Sequence, residues 1–229
     1  MSKGQEVGGG VPDNVFGTLA DIVAKVEKGS ITEKELKLFA KRQNPFPKSS
    51  EILLQWEKFF NQVFGLEVNL LDVKIPRKRR GFDRIIVVPQ GLTLNQVIQA
   101  CKDRFQVYCY WNDLDKSITV DDCTPVDGSY AIRIRDRVEA DEELKNLSAK
   151  QLEERDIKGT TLLERLILEI KHYQETEEHL DIKNVTLCSG SRGSGGDVPS
   201  VGWSAGWLYV GWYSPDYAYS YLRARAVVS

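Results

Sequence analysis

Between Val198 and Leu222 a chain that is 28% charged overall carries one charged residue, Asp216. The same stretch holds Trp203, Trp207, Tyr209, Trp212, Tyr213, Tyr217, Tyr219 and Tyr221, spaced by Gly202, Ser204, Gly206, Gly211, Ser214 and Ser220. A core is built from Leu, Ile and Val, which bury no polar atoms, whereas Tyr, Trp, Ser and Gly make an adaptable contact surface. The segment therefore has to be held in place by a scaffold made elsewhere. Short runs around Val201, 208–210 and 222–228 read as strands joined by Gly, Ser and Pro turns. Exposure of at least half of these rings is the expectation.

The preceding sequence supplies helices and short strands. Val15, Phe16, Leu19, Ile22, Val23 and Val26 recur at helical spacing, and Gly29 closes the run. Thr32 with Glu35 forms a capping box, and Asn44-Pro45 with Pro47 stops the helix it opens. Ser50 is expected to cap a third helix with a broad stripe from Ile52 to Phe64. From about residue 66 the period changes. Arg84 to Val88 is β-rich, Thr93 caps a helix, and 106–111 with 116–121 predict a hairpin across Asn112-Asp113. Tyr130 to Arg135 alternates as a half-exposed strand, and Thr161 with Glu164 caps the longest helix. The expected class is α+β, with a tail at 1–13, a helical region at 14–65, a small β-α-β-β unit at 66–127 and a mixed domain at 128–229.

Charge and chemistry exclude more than they identify. A net charge of −2 over 229 residues argues against a dedicated nucleic-acid binder. No run approaches the ~20 apolar residues of a membrane span, and the first residues lack a secretion signal, so a cytoplasmic location is expected. Cys101, Cys109, Cys123 and Cys188 lack the short spacing of a zinc site and read as buried free thiols. The Gly-rich stretch 189–197 lacks the Gly-Lys-Ser/Thr ending of a phosphate loop. Asp113, Asp115, Ser117, Thr119 and Asp121 alternate like calcium ligands, but Ile118 stands where such a loop needs Gly. His172 and His179, seven apart, can share a helix face, with Glu169, Glu175, Glu177 and Glu178 as its solvated acidic surface. No metal, cofactor or catalytic nucleophile is expected. The basic run of Lys74, Arg77, Lys78, Arg79, Arg80 and Arg84 is the competing signal. Phosphate binding through that run, with aromatic stacking by the carboxyl end, is the alternative to a solvated loop.

The carboxyl-terminal motifs carry a resemblance. Thr186-Leu-Cys-Ser-Gly-Ser-Arg192, Asp197-Val-Pro-Ser200, Trp207-Leu-Tyr-Val210 and the ending Leu222-Arg-Ala-Arg-Ala-Val-Val-Ser229 resemble variable proteins of diversity-generating retroelements. Those proteins have a C-type-lectin-like fold of the formylglycine-generating-enzyme type. In them a reverse transcriptase rewrites adenine-specified codons near the carboxyl end, and the changed residues bind diverse ligands. The resemblance covers about residues 128 to 229. It implies that the strand at 130–135 pairs with the closing strand at 222–228, over the helix at 161–179. It implies displayed positions at Trp203, Ser204, Trp207, Tyr209, Gly211, Trp212, Tyr213, Ser214, Asp216, Tyr217, Tyr219, Ser220 and Tyr221. Leu222 stands where the family often has an aromatic. An enzyme of the formylglycine-generating branch needs a cysteine pair in this domain, which holds only Cys188. The expected function is non-enzymatic binding of a protein or glycan ligand, with Trp212 and Tyr213 as central contacts. The amino-terminal helices, rich in Phe and Val, are expected to support a homo-oligomer.

Overall fold

The computed structural model describes residues 15–41 and 49–229. The expectations for the tail at 1–13 and for the helix stop at 44–47 lie outside those residues. The chain divides into two compact units, 1–47 and 48–229.

In the first unit, α1 (Val15–Glu27) and α2 (Glu33–Ala40) are joined by a turn through Gly29 at φ +66°. The Thr32–Glu35 capping box is present, with both of its reciprocal hydrogen bonds. Leu19, Val23 and Phe39 are exposed.

The second unit is a mixed α+β fold. It opens with α3 (Ser49–Phe64), so Ser50 lies inside the first turn and not at the cap. Leu53, Trp56, Phe59 and Phe60 of α3 are buried. β1 (Arg84–Val88) is followed by α4 (Leu94–Lys102), capped by Thr93 and Gln96. β2 (Val107–Cys109), α5 (Leu114–Ser117), β3 (Ile118–Asp121) and β4 (Tyr130–Ile134) come next. After α6 (Ala149–Glu154), Thr161 and Glu164 cap α7 (Leu162–Thr176). The chain ends with β5 (Val185–Leu187), β6 (Ser191–Gly193), β7 (Val198–Ser204), β8 (Trp207–Tyr213) and β9 (Leu222–Arg223).

The segments 66–127 and 128–229 interleave. β1 pairs antiparallel with β4, β3 pairs antiparallel with β6, and β2 joins a five-stranded sheet of order β2-β8-β7-β5-β9. The hairpin expected across Asn112-Asp113 does not form. Asp113 instead caps the single turn of α5, its carboxylate accepting from Lys116 N at 3.2 Å, while Leu114 is buried. That turn sends β3 away from β2. β2 runs parallel to β8, about a hundred positions later, and Tyr110 N donates to Val210 O at 2.9 Å.

Three further expectations change. The strand at 130–134 takes β1 as its ladder partner. Its link to the closing segment is one bridge, Arg133 to Val228, with N–H to O distances of 2.8 and 2.9 Å. The Gly-rich stretch 189–197, whose composition reads as a loop, contains β6. His179 lies beyond α7, which ends in left-handed Glu177 at φ +60°, so the two histidines do not share a helix.

α7 is the central support, packed against α4, β1 and β7. Leu162, Leu166, Ile167 and Ile170 share one apolar cluster with Val201, Leu208 and Val210 from the inner face of the sheet. Cys101 and Cys188 are buried and Cys109 and Cys123 half-buried, all as free thiols.

Candidate functional site

β7 and β8 form a two-residue hairpin in which Ser204 faces Trp207 across Ala205 and Gly206, at φ +49° and +83°. Positive φ at both central residues gives the turn the twist its strands need. Strand alternation then sorts the side chains. Val201, Leu208 and Val210 point into the core. Ser200, Gly202 and Ser204 lie on the other face with Trp207, Tyr209, Gly211 and Tyr213, each opposite its partner in the register. The small side chains leave an open cleft of about 430 Å³, with Ser200, Gly202 and Gly211 beneath Tyr209 and Tyr213. A Cβ on Gly202 would sit 3.1 Å from Val185 Cγ2, so the cleft floor has little room to grow there.

The segment that follows is fixed by its main chain. Lys150 N donates to Pro215 O at 3.1 Å, Tyr217 N to Ser214 O at 2.9 Å, and Val185 N to Tyr221 O at 2.9 Å. On this frame Tyr217 stacks between Tyr213 and Tyr219, with centroids at 5.2 and 4.5 Å. Tyr221 follows at 5.4 Å from Tyr219. Burial, and then the neighbouring Tyr221, push the Tyr213 phenol above its ordinary range. The hydrogen bond with Tyr219 brings Tyr217 to about 12. Both hydroxyls stay neutral at physiological pH. Asp216, the one charge, pairs with Lys150 at 3.4 Å.

None of the thirteen expected positions is buried. Trp207, Tyr209, Trp212, Tyr217, Tyr219 and Tyr221 are exposed, as are Ser204, Ser214, Asp216 and Ser220. Trp203, Gly211 and Tyr213 are half-buried. They do not all share one face. Trp212 alternates to the side opposite Tyr213, and Trp203 pairs with the core residue Leu208. Trp203 lies flat on His179, whose other face stacks on Tyr173 at 4.8 Å.

Beneath the sheet is a charged network that the helical pattern hides. Arg165 binds Glu169 at 2.7 Å and Asp181 at 2.9 Å, and Arg225 binds Asp181 at 2.7 Å. Asp181 also accepts from Ala140 N at 2.8 Å and from the Thr186 hydroxyl. Burial acts to raise the Asp181 carboxyl, but Arg225 and Arg165 override it and hold it below its usual value. Glu169 accepts from His179 Nδ1 at 2.9 Å and is fully buried, not part of a solvated acidic face. Its carboxyl is likewise lowered: Arg165 and His179 outweigh the effect of burial. The network ties α7, the Asp181 turn and the end of the chain together. Every charge in it has a partner, which is the condition for burying charges.

The basic run lies in a solvated loop. Arg77, Lys78, Arg79 and Arg80 are exposed, Lys78 reaches Asp83 at 3.4 Å and Arg79 sits 5.4 Å over Phe82. Arg84 leaves the loop to bind Glu175 at 2.6 Å. Among the described residues no group of three or more His, Cys, Asp or Glu side chains is placed to hold a metal, and no helix is long and apolar enough to cross a membrane. Comparison with protein-family models, with curated proteins and with solved structures finds no match to this chain.

Proposed function

We propose that this chain is a non-enzymatic ligand-binding protein that displays an aromatic, Ser- and Gly-spaced surface between Trp203 and Tyr221. One observation carries the reading: six tyrosine and tryptophan rings of that segment face solvent on a main chain held by the β7–β8 ladder and the clamps at Pro215 and Tyr221. Exposed rings on a fixed backbone bind with little ordering cost and tolerate exchange, because surface substitutions change stability by less than about 0.5 kcal/mol. That combination suits a variable protein of a diversity-generating retroelement with a C-type-lectin-like terminal domain, acting in the cytoplasm on a protein or glycan ligand. The exposed Leu19, Val23 and Phe39 support a role for the amino-terminal helices in self-association.

Two measurements test this. Sequencing of the flanking DNA is expected to find a reverse-transcriptase gene and a near-copy of the 3′ end differing at adenines. Protein and glycan arrays probed with the chain are expected to lose signal for a Trp207→Ala, Tyr209→Ala, Tyr217→Ala, Tyr219→Ala variant whose melting temperature is unchanged. Undiminished signal from that variant would overturn the reading.

A further inference from the structure

The ring system does not stop at the hairpin. β2 is one of the two edge strands of the five-stranded sheet, with β8 as its one neighbour among the described residues. Tyr108 on β2 is 52% exposed and Tyr110, which continues its ladder, 56%; the exposed rings of 207–221 span only 37 to 44%. Edge strands are commonly blunted by being short, as the three-residue β2 is, or by charged side chains. This one presents two tyrosines.

Their neighbours give them a place. Tyr108 meets Tyr209 at 5.7 Å and Tyr110 meets Trp212 at 5.9 Å. Tyr108 stands beside Tyr209 in the register and Tyr110 follows two residues on, so β2 continues the ring surface to the edge of the sheet. At roughly 200 Å² per ring, the eight exposed rings present on the order of 700 Å². That sum, with the ring hydroxyls included, approaches the ~800 Å² per partner of a standard protein interface.

The chemistry of the patch selects among occupants. Tyr217 has both faces covered, by Tyr213 and Tyr219, so the centre of the stack offers edges and hydroxyls. A nucleobase or a sugar ring needs free faces, and a phosphate needs cations. The one charge, Asp216, is an anion already paired with Lys150.

We infer that Tyr108 and Tyr110 belong to the ligand-binding surface and that its occupant is an uncharged patch of another protein. The inference rests on the ligand-binding reading of the 203–221 segment. It is tested with the full chain and three probes: a phage-displayed library of folded fibronectin-type domains randomised in their loops, a glycan array, and a twelve-residue oligothymidylate. The expected result is that most selected domains bind roughly tenfold or more weakly to Tyr108→Ala/Tyr110→Ala. Their binding to the wild type should change little between about 50 and 500 mM salt. The variant should melt like the wild type, and Tyr108→Phe/Tyr110→Phe should recover most of the affinity. Glycan or oligonucleotide binding lost in the same variant would overturn the choice of occupant, as would wild-type dimers in sedimentation that this variant abolishes. Selected domains indifferent to the Tyr108/Tyr110 change but lost with Trp207→Ala/Tyr209→Ala would overturn the extension alone. Indifference to both sets would overturn the ligand-binding reading as well.

Discussion

His179 lies parallel to Trp203, with ring centroids 3.3 Å apart and an interplanar angle of 8°. Its Nδ1 meets the buried carboxylate of Glu169, so the charged network under the sheet reaches the base of the aromatic surface through one imidazole. His179→Ala removes the ring that supports Trp203 and leaves Glu169 Oε1 with fewer partners. The expected cost is about 1–3 kcal/mol of folding stability, with a red-shifted tryptophan emission that the double variant with Trp203→Phe no longer shows. Urea denaturation and emission spectra check both effects. An unshifted spectrum would show that the stack does not hold Trp203.

Tyr213 and Tyr219 belong to one ring stack yet differ in their surroundings. Tyr213 packs against the buried group of Ala149, Leu187, Val198 and Leu222, whereas Tyr219 is exposed. Tyr219→Ala is therefore expected to cost less than about 0.5 kcal/mol, and Tyr213→Ala about 1–3 kcal/mol. Tyr213, expected from sequence to be a central contact, is half-buried and packs against part of the core. Equal melting temperatures for the two variants would contradict this division.

Local signals were legible in the chain and distant ones were not. The capping boxes at Thr32 and Thr161 are written in residues three apart, and both helices begin where those residues place them. Strand alternation likewise sorts Leu208 and Val210 inward from Tyr209. The pairing of β2 with β8 depends on a chain reversal at Asp113 that a hairpin pattern imitates, so Tyr108 and Tyr110 gave no hint of their neighbours. Arg165 and Glu169 look solvated in any reading that equates charge with exposure. They are buried because each has a fixed counter-charge, and Asp181 and Arg225, which complete the set, lie outside the helix.

That network is expected to fail as a unit. Asp181→Asn leaves Arg165 and Arg225 buried around one neutral amide, and losing a buried counter-charge costs about 3–5 kcal/mol. Denaturant unfolding should show the loss as a lower midpoint at unchanged slope. A change below about 1 kcal/mol would mean that water or rearrangement replaces the carboxylate.

Ala205 holds a left-handed conformation at φ +49° in the hairpin turn, where Asn is favoured. Ala205→Asn is expected to raise stability by about 0.5–1 kcal/mol. Thermal melting checks the sign, and a lower melting temperature would place strain elsewhere in the turn.

Asp121 gives the fold a pH dependence of predictable sign. Its carboxylate accepts from the Ser191 hydroxyl, which in turn accepts from Leu162 N, so it pins β3 to β6 and to the start of α7. Burial pushes its carboxyl up to about 6, which Ser191 opposes and Asp122 assists. The unfolded chain releases that proton near ~4. Between about 4 and 6 the folded state therefore holds more protons than the unfolded one, and stability falls as pH rises. This contribution is fully present below about 4 and lost as pH passes through 6. Buried Glu164, at about 7, acts in the same direction. Asp121→Asn keeps an acceptor for Ser191 and cannot ionise. Relative to the wild type it should gain on the order of 2 kcal/mol between about pH 4 and pH 7, and no more above that. Urea midpoints of the two proteins across this range measure the difference, and a gap that stays constant with pH would show that Asp121 ionises as freely in the fold as in water.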